Sequence, residues 1–337
     1  MSYERVIISE FGGPEVLKVV AETALPEPGP GEVRVKVLAT SACFTDTMIR
    51  KGTYRDLKEK PPFSPGYDMV GVVDKLGEGA TRYKVGQRVA DLTVFGAYSE
   101  YICSPETRLV PVPEGLDTAE AVSLILSYVT AYQMLHRSAQ VQPGQRILVH
   151  SAGGAVGTAM LQLGKLLNLE MYGTASKSKH EMVASLGGIP IDYQNEDFVQ
   201  RLADHAVDAA FDAIGGDNFK RSFSVLKPGG TLVAYGFYNA AMGKASTSSV
   251  MLGFIRVTLL WNIFANGRSA SLYSIGALRK KRPDWFKEDL SELFSLLAQG
   301  KIKPVIDQRM PLSEAARAHD LVEQAAVKGK IVLIVNE

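Results

Sequence analysis

The chain has 337 residues, about twice the length of a typical domain, so two domains are expected, with insertion of one in the other as an option. Its 37 basic and 36 acidic residues leave a formal charge of +1, which argues against a general binder of nucleic acid or acidic membrane and confines electrostatic work to local clusters. Cys43 and Cys103 are the only cysteines, too few for a disulfide framework, a CxxC redox motif or a cysteine-rich zinc site, and they indicate a reducing compartment.

The first five residues lack the charged-then-apolar run of a secretory signal, and no apolar stretch reaches the roughly 20 residues that cross a bilayer. A cytoplasmic location is expected. Residues 251–264 come nearest, but Arg256 interrupts them, and a buried or interface helix is expected there instead.

Up to about residue 115 the apolar pattern is short and alternating, as in Val33-Arg34-Val35-Lys36-Val37, Gly71-Val72-Val73-Asp74-Lys75-Leu76 and Tyr98-Ser99-Glu100-Tyr101. Clusters such as Pro28-Gly29-Pro30-Gly31, Pro61-Pro62 and Ser64-Pro65-Gly66 punctuate it, which predicts a half-buried, barrel-like β domain. The spacing then predicts a helix over 118–136, capped by Asp117 or Thr118. After Pro143-Gly144, apolar runs at 146–150, 170–174, 189–192, 207–214 and 230–235 alternate with helical patterns at 155–168, 179–186, 196–204 and 218–226. Strands apolar on both faces, alternating with helices, predict a doubly wound parallel sheet. Strand texture returns at 303–306 and 330–335, flanking a helix over 313–326, so the α/β unit reads as an insertion in the first domain.

The strand at 147–150 runs into Ser151-Ala152-Gly153-Gly154-Ala155-Val156-Gly157 and then a helix. In the dinucleotide fingerprint the first glycine is replaced by Ala152, with Gly154 and Gly157 in the other two slots. The order strand, glycines, helix favours a phosphate site over a bare turn: Gly154 lets the backbone approach a pyrophosphate, the helix N-terminus at Ala155 and Val156 offers amides, and Gly157 permits close packing. About 20 residues on, where an acid would hold a ribose hydroxyl, stand Ser176, Lys177, Ser178 and Lys179. Each lysine taken singly reads equally as a solvated turn; the missing acid and the paired cations together favour NADP.

These motifs, with Phe44-Thr45-Asp46, Arg50-Lys51-Gly52-Thr53-Tyr54, Pro65-Gly66-Tyr67-Asp68, Gly96-Ala97-Tyr98-Ser99-Glu100-Tyr101, Thr130-Ala131-Tyr132 and Gly300-Lys301-Ile302-Lys303-Pro304, resemble the zinc-free medium-chain dehydrogenase/reductases of the quinone oxidoreductase-like branch over almost the full length. The resemblance implies an α/β fold: a GroES-like β-barrel catalytic domain at 1–123 and 267–337, and an inserted Rossmann NADP-binding domain at 124–266. It implies that Thr130, Gly236 and Phe237 lie near the nicotinamide and Tyr193 and Lys330 near the adenosine phosphate. It also implies a homodimer. Zinc-dependent relatives place a ligand at Cys43, but their next slot is Tyr67 and no cysteine or histidine lies at 126–128, so no metal is expected. Where the branch commonly has Asn, this chain has Cys43, either a small apolar filler or a reactive group near the substrate. Tyr54 matches a tyrosine that donates a proton in some enoyl reductases, and reads equally as a packing aromatic.

Without a Lewis acid, hydride transfer from NADPH to a small hydrophobic quinone or α,β-unsaturated carbonyl is the chemistry expected. The alternative is an NADPH-binding sensor or partner-binding protein whose chemistry has lapsed, for which the departure at Cys43 is the support. The run Arg279-Lys280-Lys281-Arg282 reads as a solvated turn rather than an anion site.

Overall fold

In the computed structural model, residues 2–54, 57–241 and 267–335 are described, together with Leu252, Gly253, Ile255 and Val257. The expectation for 251–264 otherwise lies outside the described residues. The chain divides into two units, one of Met1–Leu126 with Leu290–Glu337 and one of Ser127–Asp289.

In the first unit, the strands β1 (Tyr3–Ile8), β2 (Leu17–Glu22), β3 (Glu32–Ala42), β4 (Met69–Leu76), β5 (Arg88–Asp91), β6 (Tyr101–Pro105) and β7 (Val110–Pro111) precede the insertion. The second unit contributes β8 (Arg146–Val149), β9 (Glu170–Ala175), β10 (Gly188–Asp192), β11 (Val207–Asp212), β12 (Leu226–Ala234) and β13 (Ser269–Leu272). The chain then returns to the first unit with β14 (Ile306–Pro311) and β15 (Lys330–Ile334).

β3 organises the first unit. Its alternation buries Val33, Val35, Val37 and Ala39, and the three valines pack with Met69, Val73, Tyr83 and Val89 into one core. The sheet runs β14-β15-β3-β4-β5-β7, with β6 also paired to β3. β15 pairs antiparallel with β3, so the chain's last strand sits inside the sheet its third strand began. The expected strand at 98–101 begins only at Tyr101; Tyr98 is instead fully buried. Strand structure expected at 303–306 starts at Ile306, because Pro304 has no amide for the ladder.

In the second unit the sheet order is β10-β9-β8-β11-β12-β13, every neighbouring pair parallel. Buried apolar residues from several strands, such as Leu148, Ile191, Ala210 and Leu232, pack with Phe219 of the helix Asp217–Ser224. The strand order reverses between β8 and β11, the switch point where an α/β sheet opens a crevice at its strand C-termini. β13 extends the parallel sheet beside β12, a pairing that its short sequence does not advertise. The helix expected over 118–136 starts at Thr118, with Asp117 accepting from the Glu120 amide. It runs through wider turns at Leu124–Tyr128 and Met134–Ser138.

Candidate active site

The second unit holds the glycine loop at the end of β8. Ser151 adopts φ +56°, the Ala152 amide donates to the Thr174 carbonyl at 3.0 Å, and the Gly154 amide turns back to the Ser151 carbonyl at 2.9 Å. A Cβ at Gly157 would stand 2.3 Å from that carbonyl oxygen and 2.6 Å from Ala152 Cα, so only glycine lets the helix Ala155–Leu166 pack on the turn. Ala152 is accommodated by a glycine elsewhere. A Cβ at Gly173 on β9 would lie 2.6 Å from the Ala152 methyl, so the glycine missing from the loop stands on the neighbouring strand. The helix begins at Gly154 in extended conformation with no side-chain cap, and the first-turn amides of Ala155 and Val156 are offered to an anion.

The turn after β9 carries Ser176, Lys177 and Lys179. The Lys179 stem lies across the loop, where a Cβ on Gly153 would meet its Cδ at 2.6 Å. Ser176 and Ser178 share a hydroxyl hydrogen bond at 3.2 Å. Tyr193 follows β10 and is 59% exposed, and Gly236 and Phe237 follow β12. A Cβ at Gly236 would reach the Ala213 carbonyl at 2.7 Å, so that strand end is pressed against the turn after β11. Gly154, Ala155, Val156, Gly157, Ser176, Lys177, Lys179, Tyr193, Gly236 and Phe237 therefore share the C-terminal edge of one parallel sheet. Thr130 does not; it lies buried on the helical turn Val129–Gln133 and hydrogen-bonds the Tyr273 phenol, which donates to Gln133 Oε1 at 2.8 Å.

The first unit brings together a different set. Cys43 precedes the helix Phe44–Arg50, and its amide and thiol both donate to Asp46 Oδ2, at 3.0 and 2.9 Å. Burial, reinforced by the Asp46 charge, pushes the Cys43 thiol well up, which favours its protonated, donating form. The thiol thereby has a polar partner that an apolar filler would not need. Asp46 is fully buried, and desolvation pushes its carboxyl up to about 7 against the lowering hydrogen bonds from Cys43. Its Oδ1 has no hydrogen-bond partner.

Tyr67, in the slot of a zinc ligand, places its hydroxyl 2.9 Å from that of Tyr54. The two rings meet edge to face at 6.2 Å. Burial, then the nearby Tyr54, raises the Tyr67 phenol, which stays neutral and able to donate. Tyr54 is thus half of a hydroxyl pair rather than a lone packing ring.

Lys330 belongs to the first unit, where its buried ammonium lies 3.2 Å from Asp68 Oδ2. Asp68 also accepts from the Ser41 hydroxyl at 2.6 Å and amide at 3.0 Å, so the pair is saturated with donors. Asp46 and the Tyr67 hydroxyl are functional candidates that sequence reasoning passed over. Asp46 had a readable signal, since an acid three residues after a helix-opening residue is the spacing of a capping box. The Tyr54–Tyr67 pairing had none, because the two stand thirteen positions apart in no shared element. Among the described residues, no group of three or more His, Cys, Asp and Glu side chains could hold a metal ion.

Comparison with known proteins agrees with this organisation. Residues 29–114 match the alcohol dehydrogenase GroES-like domain, and residues 186–333 match the zinc-binding dehydrogenase domain. The chain is 34% identical over 339 residues to the synaptic vesicle membrane protein VAT-1 homolog of Rattus norvegicus, covering 98% of this chain and 83% of that one. The quinone oxidoreductase of Pseudomonas syringae pv. Tomato DC3000 superposes with a TM-score of 0.86 at 32% identity, covering 99% and 100% of the two chains. The quinone oxidoreductase of Escherichia coli, solved in complex with NADPH, gives a TM-score of 0.87 at 29% identity over 98% and 100%. With a GroES-like unit, an inserted parallel Rossmann sheet and tyrosine where zinc enzymes place a ligand, the chain belongs to the zinc-free medium-chain dehydrogenase/reductases, in the quinone oxidoreductase branch.

Proposed function

We propose that the protein is an NADPH-dependent, metal-free oxidoreductase whose substrates are small hydrophobic quinones or α,β-unsaturated carbonyls. The observation that carries the cofactor is the uncapped helix start at Gly154 together with the Lys179 stem lying over Gly153, in a turn with no carboxylate to repel a 2′-phosphate. Gly154, Ala155, Val156 and Gly157 would hold the pyrophosphate by backbone, and Ser176, Lys177 and Lys179 the 2′-phosphate. Thr130, Gly236 and Phe237 would border the nicotinamide, and Tyr193 the adenosine phosphate end.

When bound, NADPH supplies a hydride for an electron-poor double bond. The residues of the first unit manage the proton. As charge develops on a carbonyl oxygen, the Tyr54 hydroxyl donates to it, and Tyr67 donates to Tyr54 in turn at 2.9 Å. The neutral Cys43 thiol holds the Asp46 carboxylate in place. No Lewis acid is required, because the charge moves through the conjugated system onto an oxygen that a hydroxyl can stabilise.

A second reading is favoured by Cys43, whose thiol is turned to Asp46 and offers no amide: a protein that binds NADPH without turnover and signals to a partner. One experiment separates the two. Purified protein is titrated with NADPH, and cofactor consumption is followed with a panel of quinones and enones. Oxidation with at least one member supports the reductase; tight binding with no consumption by any member supports the sensor; no binding overturns both. The homodimer and the cytoplasmic location belong to the same proposal, and sedimentation checks the first.

A further inference from the structure

Beneath the glycine loop runs a chain of buried side chains whose hydrogen-bond directions can be deduced. Ser222 Oγ lies 2.6 Å from Asp212 Oδ2 and gives that carboxylate its single proton. It can then only accept from His150 Nε2, 2.9 Å away, which fixes the proton on that nitrogen. His150 Nδ1 is consequently an acceptor, and the Thr174 hydroxyl at 3.0 Å must donate to it. Thr174 Oγ1 in turn accepts the Ser151 amide at 3.3 Å. Burial holds His150 below the usual histidine range, with the Arg221 charge adding to the effect and Asp212 opposing it. The Phe198 ring closes the site edge-on at 4.8 Å.

Both ends of the chain act on backbone that a dinucleotide site needs. Ser151 is a non-glycine residue at φ +56°, a conformation that persists only where its surroundings over-determine it, and its carbonyl sets the position of Gly154 and Gly157. At the other end, Asp212 Oδ1 accepts the amides of Ile214 at 2.7 Å and Gly215 at 3.2 Å, while Asn218 donates to Oδ2 at 2.8 Å. Gly215 packs against Phe237, its Cβ position only 3.1 Å from Phe237 Cα.

We propose that His150 is a positioning residue which, through Thr174 and Ser222, locks the pyrophosphate turn at 151–157 to the Asp212 turn that backs Gly236 and Phe237. The two ends of the cofactor site are then shaped as one unit. This rests on the NADPH reading above for its consequence, though the chain itself does not depend on a ligand.

The test compares Thr174→Val, Ser222→Ala and the double variant with Val207→Ala, a buried β11 substitution outside the chain that controls for lost stability. Two readouts are taken: the NADPH dissociation constant, and amide hydrogen exchange at 151–157 and 214–216 in the unliganded protein. Each single variant is expected to weaken NADPH by about tenfold, the value of one buried hydrogen bond. Each is also expected to speed exchange at both turns, including the turn it does not touch, and the double variant should add little. Thr174→Ser, which keeps the hydroxyl, should restore both readouts. Faster exchange only at the nearer turn, additive effects, or a change no larger than in Val207→Ala would overturn the proposal. If the wild-type protein binds no NADPH, the functional reading fails, and the exchange readout alone still decides the proposal.

Discussion

Tyr54 and Asp46 are polar groups of the same unit with opposite requirements. In the proposed reductase Tyr54 would need its proton available, and the adjoining Tyr67 hydroxyl, 2.9 Å away, would resupply it. Tyr54→Phe is therefore expected to lower kcat by about 10²-fold, the usual worth of a positioned proton donor, with NADPH affinity unchanged in a direct titration. Asp46 needs its charge suppressed. Buried, its carboxyl keeps a proton up to about 7, whereas the unfolded chain releases it near 3.8. The native state then binds more protons across that window, so this residue's contribution to stability is full below 3.8 and is lost as the pH rises towards 7. Asp46→Asn should remove the slope. Urea unfolding at about pH 5 and about pH 8 should show the variant gaining on the wild type at the higher pH, and equal differences at both would refute this. The sequence displayed Cys43 as a departure from its family. It could not show that the thiol would be spent on Asp46, because that depends on the depth to which the helix Phe44–Arg50 is buried.

At the level of elements, the turn between β8 and its helix was legible because glycine spacing and strand–helix order are local properties of the chain. The Gly157→Ala variant should destabilise by about 1–3 kcal/mol, since backbone atoms of Ser151 and Ala152 block the methyl and cannot swing away. Chemical denaturation measures that cost, and NADPH affinity should fall with it. The role of Gly173 was not legible, because its partner Ala152 is reached only when β9 pairs with β8. Gly173→Ala alone should be poorly tolerated, whereas Gly173→Ala combined with Ala152→Gly should recover most of the lost stability. The Lys330–Asp68 ion pair was hidden from the sequence for a similar reason. A lysine at the start of a strand reads as exposed until Asp68 is found beside it, 262 positions away.

For the whole molecule, alternation of apolar runs and helical spacing was enough to separate a β unit from an inserted parallel sheet, because each strand and helix is buried by its neighbours in the usual way. The pairing of β13 with β12 was not legible, since that strand is short and only partly buried. A two-unit protein that binds NADPH in one unit should show its melting transition move with cofactor. At about a hundred times the dissociation constant the gain is about 2.7 kcal/mol. NADH should give less, and replacing Lys177 and Lys179 by alanine should narrow the difference between the two cofactors.

The position of β15 also bears on how the protein is made. The strand at Lys330–Ile334 lies between β14 and β3, so this part of the first sheet joins only after the whole inserted unit has been synthesised between β3 and β15. The inserted unit is one uninterrupted stretch of chain and can close well before that. Until then β3 has β4 and β6 as partners, but its end at Ala39–Ala42 lacks β15. Ribosome-bound chains stopped before Lys330 should show protease resistance in 146–234 and cleavage near 39–42, and chains extended beyond Ile334 should be protected at both.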